Sequence, residues 1–150
     1  MEEKEFISRS PQETQKYGED FARQLKPGDI VSLTGDLGAG KTVFVQGIAI
    51  GLGIKGRIIS PTFVLVRSHE ANPQIQGQRS AIKTFYHMDL YRLEGEESIK
   101  NIGLDEFIND QSGVSVIEWA KKHPKLKPNW EIDIKMNEDN VRNIKINKYE

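Results

Sequence analysis

The chain contains no cysteine. Disulfides, thiolate metal sites and cysteine nucleophiles are therefore excluded, and a reducing, cytoplasmic setting is expected. It also has no long apolar run. No segment approaches the roughly 20 residues a helix needs to cross a bilayer, so no membrane role is expected. The N-terminus, Met1-Glu2-Glu3-Lys4-Glu5, lacks the basic start and apolar middle of a signal peptide. An excess of one charge is missing too. Lys and Arg number 21 against 22 Asp and Glu, for a net charge of -1. Broad non-specific nucleic-acid binding needs a basic footprint that this balance does not supply, although a local basic patch is compatible with it. With no internal repeat and no dividing linker, the 150 residues read as one domain, 1–150.

What is present is concentrated at Gly35-Asp36-Leu37-Gly38-Ala39-Gly40-Lys41-Thr42. Glycine, four residues, then Gly-Lys-Thr is the full pattern of a phosphate-binding loop. A polyphosphate needs several backbone N–H groups turned inward, and glycine lets the chain curl that tightly. A helix starting at the end of the loop adds its partial positive charge. Lys41 suits the terminal phosphates and the Thr42 hydroxyl suits magnesium. Asp36 to Val43 are thus nucleotide-binding candidates. A glycine-rich turn that merely contains Lys-Thr is the alternative. The context argues against it: a strand-like run, Ile30 to Thr34, leads in, and an apolar helix-like run, Val43 to Ile50, leads out.

Upstream, Ser10-Pro11-Gln12-Glu13 reads as a helix start, with Ser10 capping, Pro11 first and Glu13 closing a capping box. Tyr17, Phe21 and Leu25 then form one apolar stripe for docking on a sheet. Gly51 and Gly53 are natural terminators of the helix after the loop. Phe63 to Val66, Thr84 to Met88 and Val114 to Ile117 read as further strands, and Ser68 to Lys83 as a long polar hairpin connection. Short helical pieces broken at Gly103 are expected from Ile99, Ile102, Leu104, Phe107 and Ile108. Lys121 to Asn129 is a basic connector. Trp130–Met136 and Val141–Ile146 alternate like an antiparallel hairpin turning at 137–140. The fold class expected is α/β, a phosphate-loop three-layer sandwich. Its central, mostly parallel sheet has helices on both faces and a C-terminal antiparallel hairpin.

Hydrolysis on such a loop needs a carboxylate for magnesium and a group that positions water. Glu118, closing the run Val114 to Ile117, is the metal candidate beside Thr42, against the alternative of an ordinary exposed strand-end Glu. Asp89, just past a strand, is the water-orienting candidate, against a turn-forming Asp. With Lys41 these make the catalytic set. Ser60 and Thr62, in Ser60-Pro61-Thr62-Phe63, stand where nucleotide switches often carry a phosphate-sensing threonine. Trp119 follows the metal candidate and is able to stack on a ligand. His69, His87 and His123 show no metal-type spacing and read as structural or exposed. Asn147-Lys148-Tyr149-Glu150 shares its first two residues with the guanine-reading Asn-Lys-x-Asp motif but reads as a solvated tail.

Taken in order, Gly35–Thr42, Ser60–Phe63, Tyr86-His87-Met88-Asp89-Leu90-Tyr91-Arg92-Leu93, Gly103-Leu104-Asp105-Glu106 and Ile117-Glu118-Trp119 resemble the bacterial TsaE (YjeE) family. Its members are small ATPases needed to make threonylcarbamoyladenosine in transfer RNA. The resemblance covers nearly the whole chain and implies ATP on the loop, Mg2+ on Thr42 and Glu118, and important roles for Asp89 and Trp119. It also implies a TsaD–TsaB heterodimer as partner, reset by ATP hydrolysis between turnovers, and leaves open whether transfer RNA touches this chain. The Ser68–Lys83 connection departs from it in length. Adenine contacts are not fixed by motif; Pro11 and the Asn140–Val141 turn are candidates. Two other readings are a small-molecule kinase and a nucleotide-gated assembly module that does not require hydrolysis. Seven arginines are spread along the chain without a finger motif, which leaves the activating cation to a partner.

Overall fold

The computed structural model describes residues 2–36, 40–56, 58, 61, 65–76, 81–94 and 103–149. Seven strands, β1 (Glu2–Ser8), β2 (Ile30–Gly35), β3 (Val66–Glu70), β4 (Thr84–Asp89), β5 (Gly113–Glu118), β6 (Trp130–Met136) and β7 (Arg142–Lys148), form one sheet in the order β1-β7-β6-β2-β5-β4-β3. The contiguous core β6-β2-β5-β4 is parallel throughout. The outer pairings β1–β7, β6–β7 and β3–β4 are antiparallel. The sheet is therefore mixed, and the expectation of a mostly parallel sheet holds for its core alone. Burial explains the division, since parallel strands need cover on both faces. All six residues of β5 are buried.

Alternation assigns the two faces. Val31 and Leu33 of β2, Phe85 of β4, and Val114 and Val116 of β5 join the larger core, which is covered by α1 (Pro11–Ala22) and α2 (Lys41–Gly51). Met88 and Ile117 point the other way, into a smaller core closed by Leu104 and Ile108 of the short α3 (Leu104–Ile108) and by Ala120. Among the described residues, helices thus lie on both faces, in three layers.

The cap of α1 forms as expected: Glu13 N donates to Ser10 Oγ at 3.1 Å, with Pro11 at the first helical position. The reciprocal Glu13 carboxylate accepts from Arg9 N at 3.1 Å, one residue before the cap. Phe21 meets the Trp130 ring edge-on at 5.0 Å, so the stripe does reach the sheet. Its main partner, however, is α2. A Cβ on Gly18 would strike the Phe44 carbonyl, one on Gly47 the Gln15 carbonyl, and one on Gly51 would sit 2.6 Å from Ala22 Cβ. Three glycines let the two helices touch backbone to backbone. Leu25 lies past the end of α1 but remains buried. The C-terminus of α2 closes with Gly53 (φ +75°) donating to Ile50 O and Ile54 N to Ala49 O, a Schellman arrangement.

Other boundaries moved. β1 was not expected, because Glu-Glu-Lys-Glu carries no alternation. It is held by its pairing with β7, by Lys145 Nζ 3.5 Å from Glu3 and 3.8 Å from Glu5, and by Phe6 against Tyr17 at 4.9 Å. The strand expected over 63–66 begins at Val66; residues 63 and 64 lie outside the described residues, and Leu65 has φ +69°. Ser68 to Glu70 belong to β3, so the hairpin connection starts at 71. The Gln76 side chain braces it, accepting from Ile82 N at 3.0 Å and donating to Ile82 O at 2.8 Å. Asn147 and Lys148 are not a tail: they pair with both β1 and β6, and Tyr149 N donates to Asn129 O at 2.8 Å. Ile99 and Ile102 lie outside the described residues. Among the described residues, no helix is long and apolar enough to cross a membrane.

Candidate functional site

The carboxyl ends of β2, β5 and β4 lie side by side. Leu33 of β2 is in register with Glu118, and Glu118 is in register with Asp89. Open α/β sheets bind ligands in the crevice beyond such strand ends. Glu118 shares the face of Val114 and Val116, and Asp89 that of Phe85, so both carboxylates belong to the face covered by α1 and α2.

The end of β2 leads through Asp36, which is exposed, to Gly40, whose φ of +102° makes it the left-handed cap of α2. Lys41 opens the helix, and its Nζ lies 3.3 Å from Glu118 Oε1. Its stem packs where a Cβ on Gly35 would come within 3.2 Å of Lys41 Cγ, so the lysine's course depends on a glycine there. Thr42 is exposed in the first turn and Val43 is half-buried. A Cβ on Gly40 would lie 3.8 Å from Thr14 Cγ2 and 3.7 Å from Arg142 Nε. The first turns of α1, which Pro11 opens, and the start of β7 therefore converge on the start of α2. Arg142 Nη1 also donates to Asn140 O at 2.7 Å, tying in the 140–141 turn.

Glu118 is buried, and its second oxygen, Oε2, lies 3.0 Å from His87 Nε2. Burial by itself would raise the carboxyl's pKa. The hydrogen bond and charge of His87, then those of Lys41, overcome it and hold the group below its ordinary value, so Glu118 is ionised at neutral pH. An ionised carboxylate only accepts, so His87 donates from Nε2. Its other nitrogen, Nδ1, is buried with no partner among the described residues. His87 is only 1% exposed.

Asp89 is buried at the strand end, and its Oδ1 accepts from Tyr91 N at 3.0 Å while its own N–H donates to Leu65 O. It is thus a turn former, and it stands in register with Glu118 at the strand ends. Trp119 turns the chain away at φ +60°, a conformation unusual for a bulky residue, and remains 47% exposed. Its ring contacts that of Tyr91 at 4.9 Å, so two exposed aromatics rim the crevice next to both carboxylates.

The structure therefore joins Lys41 to Glu118, sets Asp89 in register with Glu118 and Trp119 next to it in the chain, and places Thr42 in the first turn of α2 behind the Gly40 cap. Leu37, Gly38, Ala39, Ser60 and Thr62 lie outside the described residues. Sequence reasoning missed His87 as a site residue. The signal was available: in Phe85-Tyr86-His87-Met88-Asp89, alternation puts His87 on the same face as Asp89. His69 stacks on Phe85 at 6.0 Å, and His123 lies 3.6 Å from Asp105.

The arrangement defines a class: an α/β protein whose crevice, at the carboxyl ends of parallel strands, is set against the glycine-capped start of a helix. A family model described as threonylcarbamoyl adenosine biosynthesis protein TsaE matches residues 8–145. Curated relatives agree. The tRNA threonylcarbamoyladenosine biosynthesis protein TsaE of Treponema pallidum is 39% identical over 130 residues, covering 87% of this chain and 88% of that one. That of Bacillus subtilis is 39% identical over 120 residues, 80% of this chain and 68% of that one. The crystal structure of Bacillus subtilis YdiB superposes with a TM-score of 0.76 at 33% identity, covering 98% of this chain and 86% of that one. The chain belongs to the TsaE family of threonylcarbamoyladenosine biosynthesis proteins.

Proposed function

We propose that the protein is a magnesium-dependent ATPase that supports threonylcarbamoyl transfer to adenosine in transfer RNA, by resetting a TsaD–TsaB transferase between turnovers. The observation that carries this reading is the meeting of Lys41 and an ionised Glu118 across 3.3 Å, at the glycine-capped start of α2. A cation and a carboxylate so placed fit opposite demands of one ligand: the lysine the phosphates, the carboxylate a metal bound to them.

The residues present fit magnesium. Thr42 and Glu118 offer hydroxyl and carboxylate oxygens, the hard donors that ion takes. Among the described residues no group of three or more His, Asp or Glu forms a metal cage, and magnesium bound beside phosphates uses only one or two protein oxygens. When bound there it supplies charge neutralisation at the phosphates. The chain's own residues do the rest. The Gly35–Thr42 loop, with Asp36 to Val43, binds the polyphosphate. Lys41 leaves Glu118 for the terminal phosphates. Asp89, anchored through Tyr91 N, orients the attacking water. Trp119 and Tyr91 cover the nucleotide side of the crevice. Pro11 and the Asn140–Val141 turn stand on the side where an adenine is able to reach, and Ser60 and Thr62 act as the phosphate-sensing switch.

Lys41 supplies one cation to the transition state. A phosphate-loop enzyme without an added arginine runs about a thousand-fold or more slower, so basal hydrolysis is slow and a partner completes the site. Phosphate release, measured with and without purified TsaD–TsaB, tests this. The rate rises at least about tenfold with the heterodimer. An unchanged rate at saturating partner would refute partner activation.

A further inference from the structure

Glu118 is held by two different groups through its two oxygens. Oε1 faces Lys41 Nζ at 3.3 Å, and Oε2 faces His87 Nε2 at 3.0 Å. The two holds differ in kind. Lys41 sits in the first turn of α2, on a long flexible stem, and is 19% exposed. His87 is 1% exposed, in the middle of β4, in register with Val116 of β5 and Arg67 of β3. Its ring stacks near-parallel on Phe85, 6.2 Å away at 19°. A β-strand flanked on both sides does not swing, so the imidazole is the fixed hold and the ammonium the movable one.

The terminal torsion of a glutamate is broad and weakly restrained. A carboxylate offered to a metal from an unrestrained side chain spends much of its time turned away. Pinning Oε2 removes that freedom and leaves one direction for Oε1. The chemistry of the pin matters as well. A lysine or arginine would reach the carboxylate on a long flexible stem, whereas the imidazole is a short rigid ring carried on a paired strand. The imidazole carries a second cost that a purely structural core residue would avoid: its Nδ1 is buried without a partner among the described residues. Phenylalanine, the residue two positions earlier on the same face, would fill the space with no polar atom to satisfy.

We propose that His87 is a positioning residue for the metal-binding carboxylate: its Nε2–H pins Glu118 Oε2, so that Oε1, released when Lys41 moves to the phosphates, is aimed at the cation. This rests on the reading of Glu118 as a cation ligand. Groups that orient a ligating carboxylate typically govern metal affinity by about 10- to 100-fold, so the effect belongs to magnesium binding and not to nucleotide binding as such.

The test titrates Mg2+ into the protein saturated with a non-hydrolysable ATP analogue, and separately titrates the analogue in EDTA, with melting curves alongside. His87→Phe weakens Mg2+ binding about tenfold or more, while metal-free nucleotide affinity stays within about threefold of wild type. His87→Gln, whose amide nitrogen falls where Nε2 stood, keeps Mg2+ affinity close to wild type. His87→Asn, whose amide falls at the Nδ1 position, loses it like His87→Phe. Should His87→Phe fail to fold, the Gln and Asn variants carry the comparison, and equal Mg2+ affinities in those two overturn the proposal. So does wild-type Mg2+ affinity in a folded His87→Phe. Glu118→Gln separates the two levels. If it binds Mg2+ as wild type does, the reading of Glu118 falls and takes the inference with it. If it is impaired while His87→Phe is not, the inference alone falls.

Discussion

At the scale of single residues the site is an arrangement of charges at the strand ends, and in the proposed function Lys41 is its movable part. A unit charge contact at 4 Å is worth about 4 kcal/mol at an effective dielectric near 20, before desolvation. Part of that is already realised in the contact with Glu118. The gain on binding ATP is the difference between the two partners, and phosphates carry more charge than one carboxylate. Lys41→Ala therefore weakens binding of an ATP analogue by at least about tenfold, or roughly 1.4 kcal/mol. Calorimetric titration measures this, and unchanged affinity would contradict the placement of phosphates beside Lys41. The fold should survive the change, because Glu118 keeps its hydrogen bond from His87.

Much of this residue-level picture was legible beforehand. Glycine spacing and a Gly-Lys-Thr ending name their own chemistry, and an acidic residue closing an apolar strand is a local signal. For His87 only the face it shares with Asp89 was legible, because what joins it to Glu118 is the register of β4 on β5 across 31 positions of chain. Spacing along the sequence carries no trace of that pairing. The αL turn at Trp119, directly after β5, is equally illegible: nothing in the residue's propensity asks for it.

At the scale of elements, the α1–α2 contact governs where the site's helix sits. An alanine in a helix interior is ordinarily better than glycine by up to about 1 kcal/mol. At Gly47 the added Cβ would press on the Gln15 carbonyl and lie 3.0 Å from Glu19 N, both backbone atoms that cannot rotate away. Overpacking of this kind costs about 1–3 kcal/mol, so the contact outweighs the propensity. Gly47→Ala lowers the melting temperature by several degrees, as a thermal melt followed by circular dichroism would show. A rise in melting temperature would mean that the helices part freely and that their close approach is not needed. Sequence patterns gave the extent of α2 well, since capping and Schellman signals are local. They gave β1 not at all. It is an edge strand whose charged residues Glu2 to Glu5 are exposed on both faces, and its order comes from β7, more than a hundred residues later.

At the scale of the whole molecule, the topology joins a parallel core, which ends in the crevice, to an antiparallel wing of β6, β7 and β1 on one side. The wing was readable as a hairpin, because Trp130 to Met136 alternate and the turn at 137–140 is polar. Its insertion directly beside β2 was not readable, since β6 is as apolar on its inner face as any other strand and could have paired elsewhere. The consequence is functional. Through this wing the start of β7 brings Arg142 to the cap of α2, so the last strand helps to close the site that the first third of the chain begins. In the proposed function this crevice, rimmed by exposed Tyr91 and Trp119, takes the nucleotide, and its product is a change of state in a partner.

In the proposed function, hydrolysis at this crevice returns the transferase to its working state. The direct measurement is threonylcarbamoyladenosine formed per TsaD–TsaB heterodimer, over many turnovers, with no added protein, with the wild type and with Glu118→Ala. Formation is expected to stall after the first turnover without the protein or with Glu118→Ala, and to continue through many turnovers with the wild type and ATP. Full multiple-turnover activity with Glu118→Ala, in a variant that still binds ATP, would contradict it.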